Sequence, residues 1–175
     1  VEDPPLESTR EASQWTQPLQ AAVAAFFVVS AVVNTVIVFG FADLNRLHLA
    51  DIYRRSNIVT PDKVGPSVDA AMTFSVVITV LLAVLYLVLA YLSYFRRTPW
   101  VFITDMVVLF LVGAPNVGGG VLNLVSPSSA SLPEVFGLTR LILALVALSL
   151  FILMLGLSWR YGMWAQRRVP TAVPE

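Results

Sequence analysis

Four runs of apolar residues dominate this sequence, approximately Leu19 to Ala42, Val68 to Phe95, Trp100 to Val125, and Val135 to Trp159. Each meets the roughly 20 residues that a helix needs to cross a hydrocarbon core of about 30 Å. Inside hydrocarbon every backbone N–H and C=O must find a partner within the protein, so runs of this kind are expected to be helices. The fold expected is therefore all-α, an integral membrane four-helix bundle. Composition agrees, because a chain of 175 residues with 57% hydrophobic and 13% charged residues carries more apolar surface than a water-soluble domain of that size can bury.

The runs divide the chain into an N-terminal tail over residues 1–18, a four-span domain over 19–159 with one sizeable polar loop at 43–66, and a C-terminal tail over 160–175. The opening residues do not read as a signal peptide, since Glu2, Asp3, Glu7 and Glu11 stand where a basic region is expected. Thr98-Pro99 places a capping residue before a proline at the first helical position. Ser67 can cap the second span, and Ser131 with Glu134 has the spacing of a capping box before the fourth. The link around Arg96-Arg97-Thr98-Pro99 is short enough to make spans two and three antiparallel neighbours.

Orientation follows from Lys and Arg. With four crossings, one side carries Arg10, Arg96, Arg97, Arg160, Arg167 and Arg168, and the other Arg46, Arg54, Arg55 and Lys63, six against four. Both termini are therefore expected in the cytoplasm, with the chain a multi-pass protein of the inner (plasma) membrane. Trp15, Trp100, Trp159 and Trp164 fall on that same side, as an interfacial aromatic belt would.

The inventory of reactive groups is sparse. Cysteine is absent and His48 is the only histidine, which excludes thiolate metal sites, cysteine-held iron–sulfur clusters and bis-histidine haem. The eleven basic and eleven acidic residues cancel, against the basic surplus a nucleic-acid partner calls for. No catalytic residue, metal or cofactor is expected, and membrane lipids are the partners the composition implies directly.

Within the spans, small and polar residues recur in steps of three and four. Span one has Gln20, Ala24, Phe27, Ala31 and Asn34, and span two Ser75, Thr79, Ala83, Tyr86, Ala90 and Ser93. Span three has Asp105, Leu109, Gly113, Asn116, Gly120 and Asn123, and span four Arg140, Ala144, Ala147, Phe151, Met154 and Ser158. Such stripes are the expected helix–helix faces, since lipid offers no hydrophobic drive for association and close packing must supply it; a polar path for a substrate is the other reading. Arg140, about six residues into span four, costs on the order of 3 kcal/mol there unless it is partnered or snorkels. Asp69 is the expected charge partner, with Asn116, Asn123 and the Gly118 to Gly120 backbone as neutral acceptors; an anion or a lipid headgroup is the alternative. Asp105, near the opposite end of span three, is expected in an interfacial ion pair or hydrogen bond close to Tyr91, Tyr94, Arg96 and Arg97. These five residues, Arg140, Asp69, Asn116, Asn123 and Asp105, are the candidate intramembrane polar or lipid contacts.

Two segments invite irregular structure. Gly113 to Gly120, with Pro115 inside it, predicts either a kink or a functional break in span three. In the polar loop, Asp43 begins an incomplete apolar stripe through Leu44, Leu47, Ile52 and Tyr53, which reads as a helical overhang of span one or as a surface-lying helix.

The four spans, the use of Arg in place of Lys everywhere but Lys63, and the paired arginines at the span ends resemble the small four-span membrane proteins of actinobacteria such as mycobacteria. Some of those look like accessory subunits of large envelope assemblies, including mammalian-cell-entry lipid importers and respiratory supercomplexes. The resemblance implies a non-catalytic accessory or scaffold subunit of a larger membrane complex, with lipid transport ahead of respiration. A small oligomeric transporter or channel built around Arg140 and Gly113 to Gly120 is the alternative, and a lipid-modifying enzyme a more distant one.

Overall fold

A computed structural model of the chain describes residues 6–56, 60–96, 98–125 and 134–161. Among these, all regular structure is helical. α1 covers Leu6–Thr35 and continues through a π-helical turn, Val36–Gly40, into α2 at Ala42–Ser56. A short 3-10 turn at Pro61–Lys63 opens α3, Val64–Phe95, and α4 and α5 cover Pro99–Val125 and Glu134–Tyr161. Three stretches, Thr16–Gly40, Pro61–Phe95 and Gly137–Arg160, are long and apolar enough to cross a membrane, and Pro99–Ala114 within α4 is a shorter apolar helix.

The helix ends differ from the apolar boundaries because loss of hydrophobicity does not stop the i to i−4 ladder. α1 begins well before Leu19 and holds Pro18 inside it. α3 is capped at Lys63, with no side-chain cap bond, which puts Ser67 inside the helix and not at its start. Pro99 does stand at the first position of α4, and the Phe102 amide reaches back to the Thr98 carbonyl at 3.3 Å. The residues of the 131–134 capping box lie outside the described residues except for Glu134, which begins α5.

Of the two readings of Gly113 to Gly120, the break is not seen: α4 stays α-helical from Pro99 to Val125, through Gly113 and Pro115, which leaves the kink as the reading of that run. A single proline removes one ladder bond, which a helix held by neighbours tolerates. Gly113 also has a packing role. A Cβ built there would lie 2.7 Å from Leu148 Cγ and 3.2 Å from the Ala144 carbonyl oxygen, so the glycine is what lets α5 approach the α4 backbone. The irregularity lies instead between α1 and α2, where the Asn45 side-chain amide donates to the Ile37 carbonyl at 2.8 Å and the Asn45 backbone amide to Phe41 O at 3.0 Å. Those two bonds satisfy carbonyls that the widened turn would otherwise leave open.

The stripes of small and polar residues form the packing faces. Ala24, Phe27 and Ala31 on α1, Thr79, Tyr86 and Ala90 on α3, Leu109 on α4, and Ala144, Ala147 and Met154 on α5 are all buried. Phe27 stacks on Tyr86 with ring centroids 5.7 Å apart, joining α1 to α3. Phe110 meets Phe151 at 5.4 Å, joining α4 to α5 in the same antiparallel register that sets Gly113 against Leu148. The outward faces carry exposed apolar side chains such as Phe74 (67% exposed) and Ile152 (63%), a surface suited to hydrocarbon or protein and not to water.

The long helices pack as two pairs of successive apolar helices. α1 packs chiefly on α3, α4 chiefly on α5, and α1 also touches α5, whereas α3 and α4 meet only over a short stretch. The short link does join α3 to α4, but it leaves them splayed away from that end.

Candidate functional site

Between the splayed helices lies a cleft of about 440 Å³ bordered by α1, α3, α4 and α5. That volume is in the range of sites that bury a small molecule or part of a larger one. α3 contributes Leu82, Leu85 and Tyr86, α4 contributes Val108, Leu111 and Val112, and α5 contributes Arg140, Leu143 and Ala144. α1 supplies the polar pair Ser30 and Asn34. From the end where α4 leads to α5, Arg140 precedes Leu143 and Ala144 along α5, Asn34 precedes Ser30 along α1, and Leu82 precedes Leu85 and Tyr86 along α3.

Each polar group in the cleft has unused hydrogen-bonding capacity. Arg140 is exposed, and no hydrogen bond or ion pair joins it to another described residue. Asn34 donates through Nδ2 to the Ser30 carbonyl at 2.9 Å, which folds its amide back along α1. Ser30 is 2% exposed, and its Oγ has no partner. Thr35, Thr73, Ser93, Thr104 and Ser149 all donate to the carbonyl four residues back, the usual way a helix satisfies such a hydroxyl. Ser30 departs from that habit, and a buried hydroxyl left without a bond costs about 1 to 3 kcal/mol.

No protein-family model, curated protein or solved structure matches this chain. What the site can do is therefore argued from its own chemistry. A guanidinium at one end offers a planar fork for an anion, the α1 hydroxyl offers a donor further in, and the remaining walls are leucine, valine and an aromatic ring.

The other sequence candidates are elsewhere. Asp69 does not pair with Arg140. Its Oδ1 is bound by Arg46 Nη2, because α2 folds back against α3 and brings Arg46 to the exposed second turn of α3 before any group on α5 can reach it. Asp105 is completely buried near the α3–α4 link, where it accepts a hydrogen bond from Ser93 Oγ at 2.7 Å. The hydrogen bond expected for Asp105 is present, and its partner is a stripe residue of α3 in place of Tyr91, Tyr94 or Arg96; Arg97 lies outside the described residues. The Asn116 and Asn123 side chains, expected as neutral acceptors, also lie outside them.

Ser30 was the residue that sequence reasoning passed over. It is small, lies one turn before Asn34, and falls beside the stripe and not on it. The Ser30 and Asn34 spacing of four was the available signal, since two polar residues one turn apart in an apolar run share a face.

Proposed function

We propose that this chain is a four-span protein of the plasma membrane, with both termini and Arg96 on the cytoplasmic side, serving as a non-catalytic accessory subunit of a larger envelope assembly that handles lipid. In this reading α1, α3, α4 and α5 each cross the bilayer, and α2 lies outside the core with its charges at the surface. α3, at about 1.5 Å per residue, is longer than the hydrocarbon thickness, so it tilts or projects. The observation that carries the proposal is the cleft. α3 and α4, which meet only over a short stretch, form two of its walls; in this reading it opens between them, sideways to the bilayer, with its one cation near the end of a span. That arrangement suits a molecule that is itself part of the membrane. The broad apolar outer faces, for example Leu81, Leu87 and Ile152, leave room for partner subunits beside lipid.

Purification of the full chain from its native membranes in mild detergent, followed by identification of what accompanies it, tests this reading. Stoichiometric larger membrane subunits are expected. A homo-oligomer that moves solute into liposomes would replace it with the transporter reading, and lipid turnover by the isolated chain would replace it with an enzyme.

A further inference from the structure

We infer that the cleft holds one glycerophospholipid drawn from the surrounding bilayer, with its phosphate on the Arg140 guanidinium. The inference rests on the reading that the cleft opens into the membrane. It goes further by naming the occupant and the atoms that recognise it.

Three observations converge on this occupant. The first is charge: Arg140 is a permanent cation on an apolar cleft, and Asp69, the acidic residue best placed by sequence to neutralise it, is engaged by Arg46. An arginine at this depth needs an anion, and a phosphodiester accepts two parallel N–H bonds from the guanidinium fork. The second is the order of groups along the cleft. A phospholipid presents phosphate, then glycerol esters, then hydrocarbon; the cleft offers Arg140 near the start of α5, polar Asn34 and Ser30 on the last turns of α1, and leucine and valine on its other walls. The third is Ser30, a cleft-lining residue whose buried hydroxyl has no partner; once turned toward the cleft, it would donate to an ester carbonyl. A free inorganic anion would satisfy Arg140 alone and leave the lower cleft and Ser30 unexplained.

The tilt of the binding chemistry also fixes how the lipid enters. α3 and α4 are held together only near their link, so the lipid slides in laterally between them with its headgroup at the α4–α5 end. Leu111 on the α4 wall is exposed, so an entering acyl chain meets it at the cleft.

The test is native mass spectrometry of the isolated full chain in mild detergent, titrated with phosphatidylglycerol, with diacylglycerol of the same acyl chains, and with inorganic phosphate. One phosphatidylglycerol per chain is expected to be retained, and diacylglycerol at least tenfold less. Inorganic phosphate should not compete. Arg140→Gln should lower phosphatidylglycerol retention at least tenfold and Ser30→Ala severalfold, with thermal unfolding of both variants within a few degrees of the parent. Leu111→Trp, which fills the cleft from an exposed position, gives a second route to the same loss without touching a polar group. Equal retention of diacylglycerol, displacement by phosphate, or unchanged retention in Arg140→Gln and Leu111→Trp would each overturn the inference. Failure to find partner subunits in native membranes would sink the accessory reading while leaving this lipid result intact, so the two stand or fall separately.

Discussion

The Ser93 hydroxyl of α3 lies 2.7 Å from the Asp105 carboxylate of α4 and 2.6 Å from the Leu89 carbonyl, so a single proton serves two acceptors at a completely buried junction. The second Asp105 oxygen, Oδ1, has no partner among the described residues. Ser93→Ala removes the side-chain donor that the described residues offer the carboxylate and should lower stability by about 1 to 3 kcal/mol, the cost of a buried polar group left without its bond. Asp105→Asn keeps an acceptor and should cost less. The double variant Ser93→Ala with Asp105→Leu removes both partners and should recover most of the loss. Thermal unfolding in detergent, compared across the cycle, checks this; additive losses would show that the pair is not coupled.

Gly113 separates packing from conformational explanations of glycine in α4. Gly113→Ala would press a methyl group into Leu148 Cγ, 2.7 Å away, and toward the Ala144 carbonyl at 3.2 Å. Overpacking of this kind costs about 1 to 3 kcal/mol. Gly156→Ala on α5 meets nothing within 4 Å and should be neutral or slightly stabilising through helix propensity. If both substitutions proved harmless by denaturant titration in detergent, the close approach of α5 at Gly113 would be wrong.

Arg46 and Asp69 form an exposed pair, with side-chain exposures of 59% and 58%. Such pairs contribute about 0 to 1 kcal/mol and fade with salt. Asp69→Asn should therefore cost under about 1 kcal/mol at low ionic strength and nothing measurable at high ionic strength. Because Asp69 and Arg140 share no contact, the double variant Asp69→Asn with Arg140→Ala should be additive within about 0.5 kcal/mol. A clear deviation from additivity would restore the pairing expected from sequence.

Sidedness can be read with single cysteines, since the chain has none of its own. Thr60 and Thr98 flank α3 and are both exposed, so Thr60→Cys and Thr98→Cys should react with an impermeant maleimide from opposite faces of a sealed vesicle. Under the proposed orientation Thr98→Cys labels from the cytoplasmic face. The reverse pattern would invert the protein.

How much of this was legible beforehand depends on the range of the interaction. Steps of three and four identified the buried faces correctly, because helix geometry alone decides which residues share a side. The partners across those faces were not legible. Asp69 and Arg140 looked matched in depth, but α2 returning along α3 put Arg46 closer, and no local pattern announces a helix that folds back. Asp105 is legible as a polar residue near a span end, and Ser93 as a stripe residue, yet only packing at the link brings the two together. Pro115 and its glycines suggest a kink or a break, and the helix continues through them, whereas the π-helical turn at Val36–Gly40 carries no proline and only the closing Gly40 as a hint. Of the cleft, Arg140 stood out by its rarity inside a span, and Ser30 became visible only once its missing hydrogen bond was seen.

The loose α3–α4 seam divides the packing into two units. α1 with α3, and α4 with α5, are each antiparallel pairs with their own ring contacts and buried small residues, Phe27 on Tyr86 in one and Phe110 on Phe151 in the other. The units join through α1 and α5 and again at the Ser93–Asp105 bond. The cleft is the space between two well-packed hairpins fastened along one side, so substitutions that tighten either hairpin leave its width to the α1–α5 seam.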